Sequence, residues 1–131
     1  MKIEAFTDKV AEAYGATDVQ TVVQEGAAFV SRLINEMEAS MRYKVGEEVD
    51  VRGSDEDGSV IVVGPMALFF RPYPEQGQLE VLIQDQQKSR ETYDLLEVPE
   101  GEAILWSPRF RHELSKEVFE YYLDVFRPLL P

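Results

Sequence analysis

Apolar side chains recur every three or four residues at both ends of the chain and every second residue through its middle. Near the N-terminus Ile3, Phe6, Val10, Ala13 and Tyr14 follow helical spacing, and Gly15 stands where a left-handed residue closes a short first helix. The next stripe is the longest: Val19, Val22, Val23, Gly26, Val30, Leu33, Ile34, Met37 and Met41. It predicts a helix over residues 17–42, opened by a capping box in which Thr17 and Gln20 each satisfy an unpaired backbone N–H. At ~1.5 Å per residue this helix is ~38 Å long, and it must cross a domain whose expected radius of gyration is only ~14 Å. Gly26, with Ala27 and Ala28 beside it, makes a small-residue step open to close packing by the chain's own sheet or by a second subunit.

From Glu47 the period shortens to two. Val49 and Val51 alternate with Glu48, Asp50 and Arg52, as in a strand with one face in solvent. A turn-rich loop covers 53–58. Residues 60–63 and 66–71 read as buried strand, bent or divided at Gly64-Pro65 because proline lacks the N–H that a ladder needs. Leu79, Val81 and Ile83 alternate with Glu80 and Gln84, and weaker strands follow over 92–98 and 103–106. Short connections between four to six such strands predict an antiparallel meander. Ser107-Pro108 has the form of a helix N-cap with a first-turn proline, and Phe110, Leu114, Val118, Tyr121, Tyr122 and Val125 keep helical spacing up to Pro128. The expected architecture is a single α+β domain over 1–131, with N-terminal helices and a C-terminal helix packed on the meander sheet's apolar face.

Charge narrows the function. The chain has 131 residues, with 25 acidic against 13 basic side chains and a net charge of −12. Such a molecule repels phosphate backbones and anionic lipid headgroups, and its basic residues are scattered, so neither general nucleic-acid binding nor membrane-surface binding is expected. Acidic residues gather in two runs: 47–57 holds six with one arginine, and 91–102 holds five with no basic residue. These runs suit a basic protein surface. They supply the candidate partner contacts Asp55, Glu56, Asp57, Glu97, Glu100 and Glu102, with Trp106 as an aromatic anchor. The absence of cysteine removes disulfides, thiolate nucleophiles and Cys-based metal sites. Residues 1–10 carry Glu4 and Asp8 and lack the apolar core of a secretory signal, so a cytoplasmic location is expected.

Candidate chemistry is sparse. His112 is the single histidine, grouped with Arg109, Arg111 and Glu113 at the start of the predicted last helix. Glu113 would point about 100° away from His112 around a helix, which makes it a poor orienter for a general base, and no catalytic residue is assigned. Arg71, Arg109, Arg111 and His112 are instead candidate contacts for an anion or small ligand in a pocket between helix and sheet. The run Asp55-Glu56-Asp57-Gly58 resembles part of a calcium loop, but Gly53 and Gly64 stand where ligands are required, so no metal is expected, and no cofactor motif is present. The expected function is a non-enzymatic acidic module that binds another protein, of the type found among chaperones of secreted effectors, immunity proteins and inhibitors that imitate nucleic acid. A homodimer through the long helix or a sheet edge belongs to the same expectation. The alternative is a small-molecule binder or small enzyme using a helix–sheet pocket; no residue motif carries a family resemblance.

Overall fold

The structure, a computed structural model, describes residues 1–14, 18–87 and 89–131. Helix α1 (Ile3–Tyr14) and helix α2 (Val19–Met41) precede seven strands: β1 (Val49–Arg52), β2 (Ser59–Val63), β3 (Met66–Tyr73), β4 (Gln78–Gln84), β5 (Arg90–Glu97), β6 (Trp106–Ser107) and β7 (His112–Glu113). Helix α3 (Lys116–Leu123) and a 3-10 segment, Asp124–Leu129, follow. The fold is α+β. Its strands lie side by side in chain order, each antiparallel to the next, which is the expected meander with seven strands rather than four to six. No helix among the described residues is long and apolar enough to cross a membrane.

Gly15 and Thr17 lie outside the described residues. The cap observed on α2 is Asp18, whose carboxylate accepts from the Gln20 N–H at 3.1 Å, the Thr21 N–H at 3.3 Å and the Thr21 hydroxyl at 2.7 Å. These bonds favour the charged form, with the Thr21 hydroxyl foremost, and hold the Asp18 carboxyl below the usual aspartate range. The sign follows from linkage. A carboxyl whose pKa is lowered on folding stabilises the fold fully above its unfolded value, and that contribution is lost as pH falls through the folded value. In an NMR titration the Thr21 amide shift is expected to move with a midpoint below that of an ordinary aspartate; a midpoint at or above it would mean that the cap is not formed.

Gly64-Pro65 divides two strands rather than bending one. Val63 pairs with Met66, so the two residues form a tight hairpin loop, and Gly64 takes the positive φ (55°) that such a loop requires. A larger departure lies after β6, where the predicted helix start at Ser107-Pro108 is a single turn. The Ser107 hydroxyl accepts from the Phe110 N–H at 3.1 Å and the Ser107 carbonyl from the Arg111 N–H at 2.8 Å; Arg111 then adopts a left-handed φ of 54° and the chain enters β7. The helix restarts at Ser115, whose hydroxyl caps Val118. Phe110 and Leu114 keep helical spacing with Val118 and Tyr122 because the turn and the helix pack on one core.

That core lies between one face of the sheet and the helices. Val51, Ile61, Leu68, Phe70, Leu79, Val81 and Leu96 are buried from the strands, Val23, Val30 and Ile34 from α2, and Val118, Phe119 and Tyr122 from α3. The Phe70 ring meets both Phe119 and Tyr122 at 5.8 Å between centroids, which fastens α3 to the sheet centre. Two close approaches seat the long helix. At Gly26 an added Cβ would stand 2.3 Å from a methyl of Leu105, so the chain's own Leu105 side chain fills the small-residue step. At Gly53 an added Cβ would stand 2.4 Å from the Ser31 carbonyl oxygen, and the Gly53 N–H donates to Asn35 Oδ1 at 3.1 Å.

Candidate functional site

Side chains alternate along a strand, so the register that sends Leu68, Phe70, Val81 and Leu96 into the core sends Phe69, Leu82, Leu95 and Trp106 to the opposite face. Neither α2 nor α3 covers that face. Phe69, Leu82 and Leu95 are half-buried by their neighbours, and Phe69 is further covered by the guanidinium groups of Arg90 at 4.2 Å and Arg71 at 5.5 Å. Trp106 remains 40% exposed.

The β5–β6–β7 register sets Trp106 directly opposite Glu97 on one side and Glu113 on the other. Both glutamates are exposed, and neither makes an ion pair among the described residues. Glu97 accepts from Gln78 Nε2 at 3.2 Å. Glu80, on the same face, accepts from the Thr92 hydroxyl at 2.5 Å. Glu100 and Glu102 are exposed on the connection from β5 to β6. Four of the predicted partner contacts therefore belong to one end of the sheet. Asp55, Glu56 and Asp57 belong to the other. They occupy the β1–β2 hairpin loop at the opposite edge, and at ~4.8 Å per strand β1 and β6 are ~24 Å apart. Glu113 joins the first group opposite Trp106, a neighbour the sequence did not show because residue 113 was expected on a helix.

The predicted ligand set does not converge. Arg71 lines an open cleft of about 810 Å³ between α2 and the β1–β2 hairpin, together with Arg42 and Arg52. Arg42 pairs with Glu38 and Arg52 with Asp50, which leaves Arg71 as a cation of that cleft without a carboxylate partner among the described residues. Arg109, Arg111 and His112 are not among the cleft's lining residues. Arg109 is engaged in packing: its guanidinium lies 3.8 Å over the Tyr93 ring and its Nε donates to the Tyr93 carbonyl at 2.7 Å. Arg111 is exposed at the left-handed turn, and His112 Nδ1 sits 2.7 Å from the Glu113 carbonyl in β7. The grouping of 109–112 into one pocket rested on a helix that is not there.

The densest polar cluster was not anticipated. Asp94, 5% exposed, stands on the core face of β5 opposite Val81, beside a bulge at the Val81/Leu82 register shift. Its carboxylate accepts from the Ser107 hydroxyl at 2.5 Å, the Tyr122 hydroxyl at 2.6 Å, the Leu95 N–H at 3.0 Å and the Arg109 N–H at 3.3 Å. Burial, then the bond to Asp94, pushes the Tyr122 hydroxyl far above its ordinary range, so it stays protonated and donating. With four protein donors on one carboxylate, the cluster joins β5, the β6–β7 turn and α3. It thereby holds Trp106 and Glu113 in register with Glu97. The signal in the sequence was the parity of Asp94, which alternates with Leu96 at an inward position. Compared with protein families, curated proteins and solved structures, the chain matches none.

Proposed function

We propose that the chain is a non-enzymatic module that binds a basic surface of another protein through the β5–β6–β7 end of its open sheet face. The observation that carries this reading is Trp106, exposed between Glu97 and Glu113, with neither carboxylate ion-paired among the described residues. An indole face attracts an arginine or lysine side chain, and flanking carboxylates satisfy the cation's N–H groups. Tryptophan is also the residue type most enriched among interface positions that dominate affinity. Glu80, Glu100 and Glu102 extend the acidic field around this anchor, whereas the Asp55–Asp57 loop lies toward the far edge and steers rather than seats the partner. A cytoplasmic role of the chaperone, immunity-protein or inhibitor type accords with a cysteine-free chain at −12. Arg71 in its cleft supports a second reading, an anionic small ligand, which ligand screening against wild type and Arg71→Ala would test.

The test is retention of proteins from a lysate of the source cells on tagged wild type, Trp106→Ala and Glu97→Lys, at ~50 mM and ~500 mM salt. A basic protein retained in stoichiometric amount by wild type at low salt, and lost at high salt, is expected to bind Trp106→Ala at least ~30-fold more weakly. Glu97→Lys should lower the association rate as well. A partner held equally by both variants would move the site away from this face, and no retained protein at either salt would remove the reading.

A further inference from the structure

The cleft between α2 and the β1–β2 hairpin is lined by six charged side chains, four of which neutralise one another. Arg42 pairs with Glu38 and Arg52 with Asp50, which leaves one carboxylate, Asp57, and one guanidinium, Arg71, without an ion-pair partner among the described residues. These two do not pair with each other, although their backbones are close. A Cβ on Gly58 would stand 3.5 Å from the Arg71 Cα, and Asp57 precedes Gly58, so the Asp57 and Arg71 Cα atoms lie within ~9 Å. Glu80 stands opposite Arg71 in the ladder, but its carboxylate accepts from the Thr92 and Tyr73 hydroxyls and Glu80 does not line the cleft. Asp57 is tied into its loop through the backbone, where its N–H donates to the Ser54 hydroxyl at 3.2 Å.

We infer that this cleft binds a zwitterionic small molecule, an α-amino acid with an aliphatic side chain, whose carboxylate meets Arg71 and whose ammonium meets Asp57. The inference rests on the second, ligand-binding reading of the cleft and replaces a bare anion with a ligand of no net charge. A molecule at −12 repels an approaching anion but not a zwitterion. The guanidinium fork matches a carboxylate, and the Arg71 group is steadied by the Phe69 ring 5.5 Å away. A carboxylate side chain only accepts, so the free Asp57 group suits an ammonium with three donors. In an α-amino acid the two charged groups sit ~3 Å apart on one carbon, and a charge-assisted bond of ~2.8 Å at each end gives a span of ~8 Å. Two side chains on backbones within ~9 Å of each other can bracket that span. Val60 and Phe69, half-buried cross-strand partners that also line the cleft, give the aliphatic side chain an apolar wall. The cleft's volume of about 810 Å³ admits such a ligand without rearrangement.

An amide NMR titration of the full chain with three probes tests the inference: L-leucine, isocaproate, which lacks the ammonium, and isoamylamine, which lacks the carboxylate. Leucine is expected to shift the Gly58 and Arg71 amides saturably, with a dissociation constant at or below ~5 mM, and each analogue to bind at least ~5-fold more weakly. Asp57→Asn, at an exposed loop position, keeps the fold and should weaken leucine at least ~5-fold while leaving isocaproate no weaker. Arg71→Gln should weaken leucine and isocaproate alike. Either analogue binding wild type as tightly as leucine overturns the inference, and isocaproate doing so leaves the anionic-ligand reading of the cleft standing. Leucine binding that Asp57→Asn leaves unchanged overturns it as well. No saturable shift from any of the three probes up to ~50 mM overturns both the inference and the ligand reading it rests on.

Discussion

Replacing Asp94 with alanine is expected to destabilise the fold by about 4 kcal/mol, the largest single effect foreseen here. The carboxylate is the common acceptor for the Tyr122 and Ser107 hydroxyls and for the Arg109 and Leu95 N–H groups, and it lies inside the core. Removing it leaves several buried donors without partners at ~1–3 kcal/mol each, partly offset as the hydroxyls turn to other acceptors. Tyr122→Phe removes one donor and keeps the acceptor, so it should cost only about 1 kcal/mol. Chemical denaturation of the three proteins measures both numbers. An Asp94→Ala loss below about 1 kcal/mol would show that the cluster does not hold the β6–β7 turn and α3 to the sheet. The variant should also weaken partner binding, because Trp106 and Ser107 are adjacent in β6 and the register of Trp106 depends on the clamp.

The second large effect is expected at Gly53. Alanine there would set its Cβ against the Ser31 carbonyl, which belongs to the α2 backbone and cannot rotate aside, and would strain the bond from the Gly53 N–H to Asn35. Either the β1–β2 hairpin must lift or α2 must move, at about 2 kcal/mol. Gly26→Ala makes a control. Its Cβ would meet a methyl of Leu105, which can change rotamer, and alanine gains ~1 kcal/mol of helix propensity over glycine, so the net cost should be under about 1 kcal/mol. Equal losses at the two sites would show that the Ser31 contact does not seat the helix. A Gly53 loss confined to the hairpin amides in hydrogen exchange would confirm that the hairpin is what yields.

How far the sequence could be read varied with how local the cause was. The α2 stripe was legible because 23 residues of helix repeat one pattern, and the cap observed at its start is Asp18. Leu79, Val81 and Ile83 marked β4 because its two faces differ so plainly in polarity. At 107–113 the reading failed for a physical reason: a turn and a strand that pack against one core can copy the period of a helix. The local rule still operated, since Ser107 does cap a turn, but the left-handed Arg111 ended it after one. That misreading carried the ligand set with it, because Arg109, Arg111 and His112 shared a pocket only on a continuous helix.

The sequence by itself determined the fold class, the order of the elements, the meander and the excess of acidic charge, because each follows from side-chain period, loop length or composition. Only the tertiary structure decided which residues meet across strands. Trp106 is nine residues from Glu97 and seven from Glu113, yet pairing makes it the neighbour of both. It likewise separated the Asp55–Asp57 loop from the second acidic run, enclosed Asp94 among four donors, filled the Gly26 step with Leu105 and left Ile3 and Phe6 of α1 exposed. Hydrogen-bond register and core packing act between residues far apart in the chain, and a pattern read along one strand or one helix holds no record of what lies beside it.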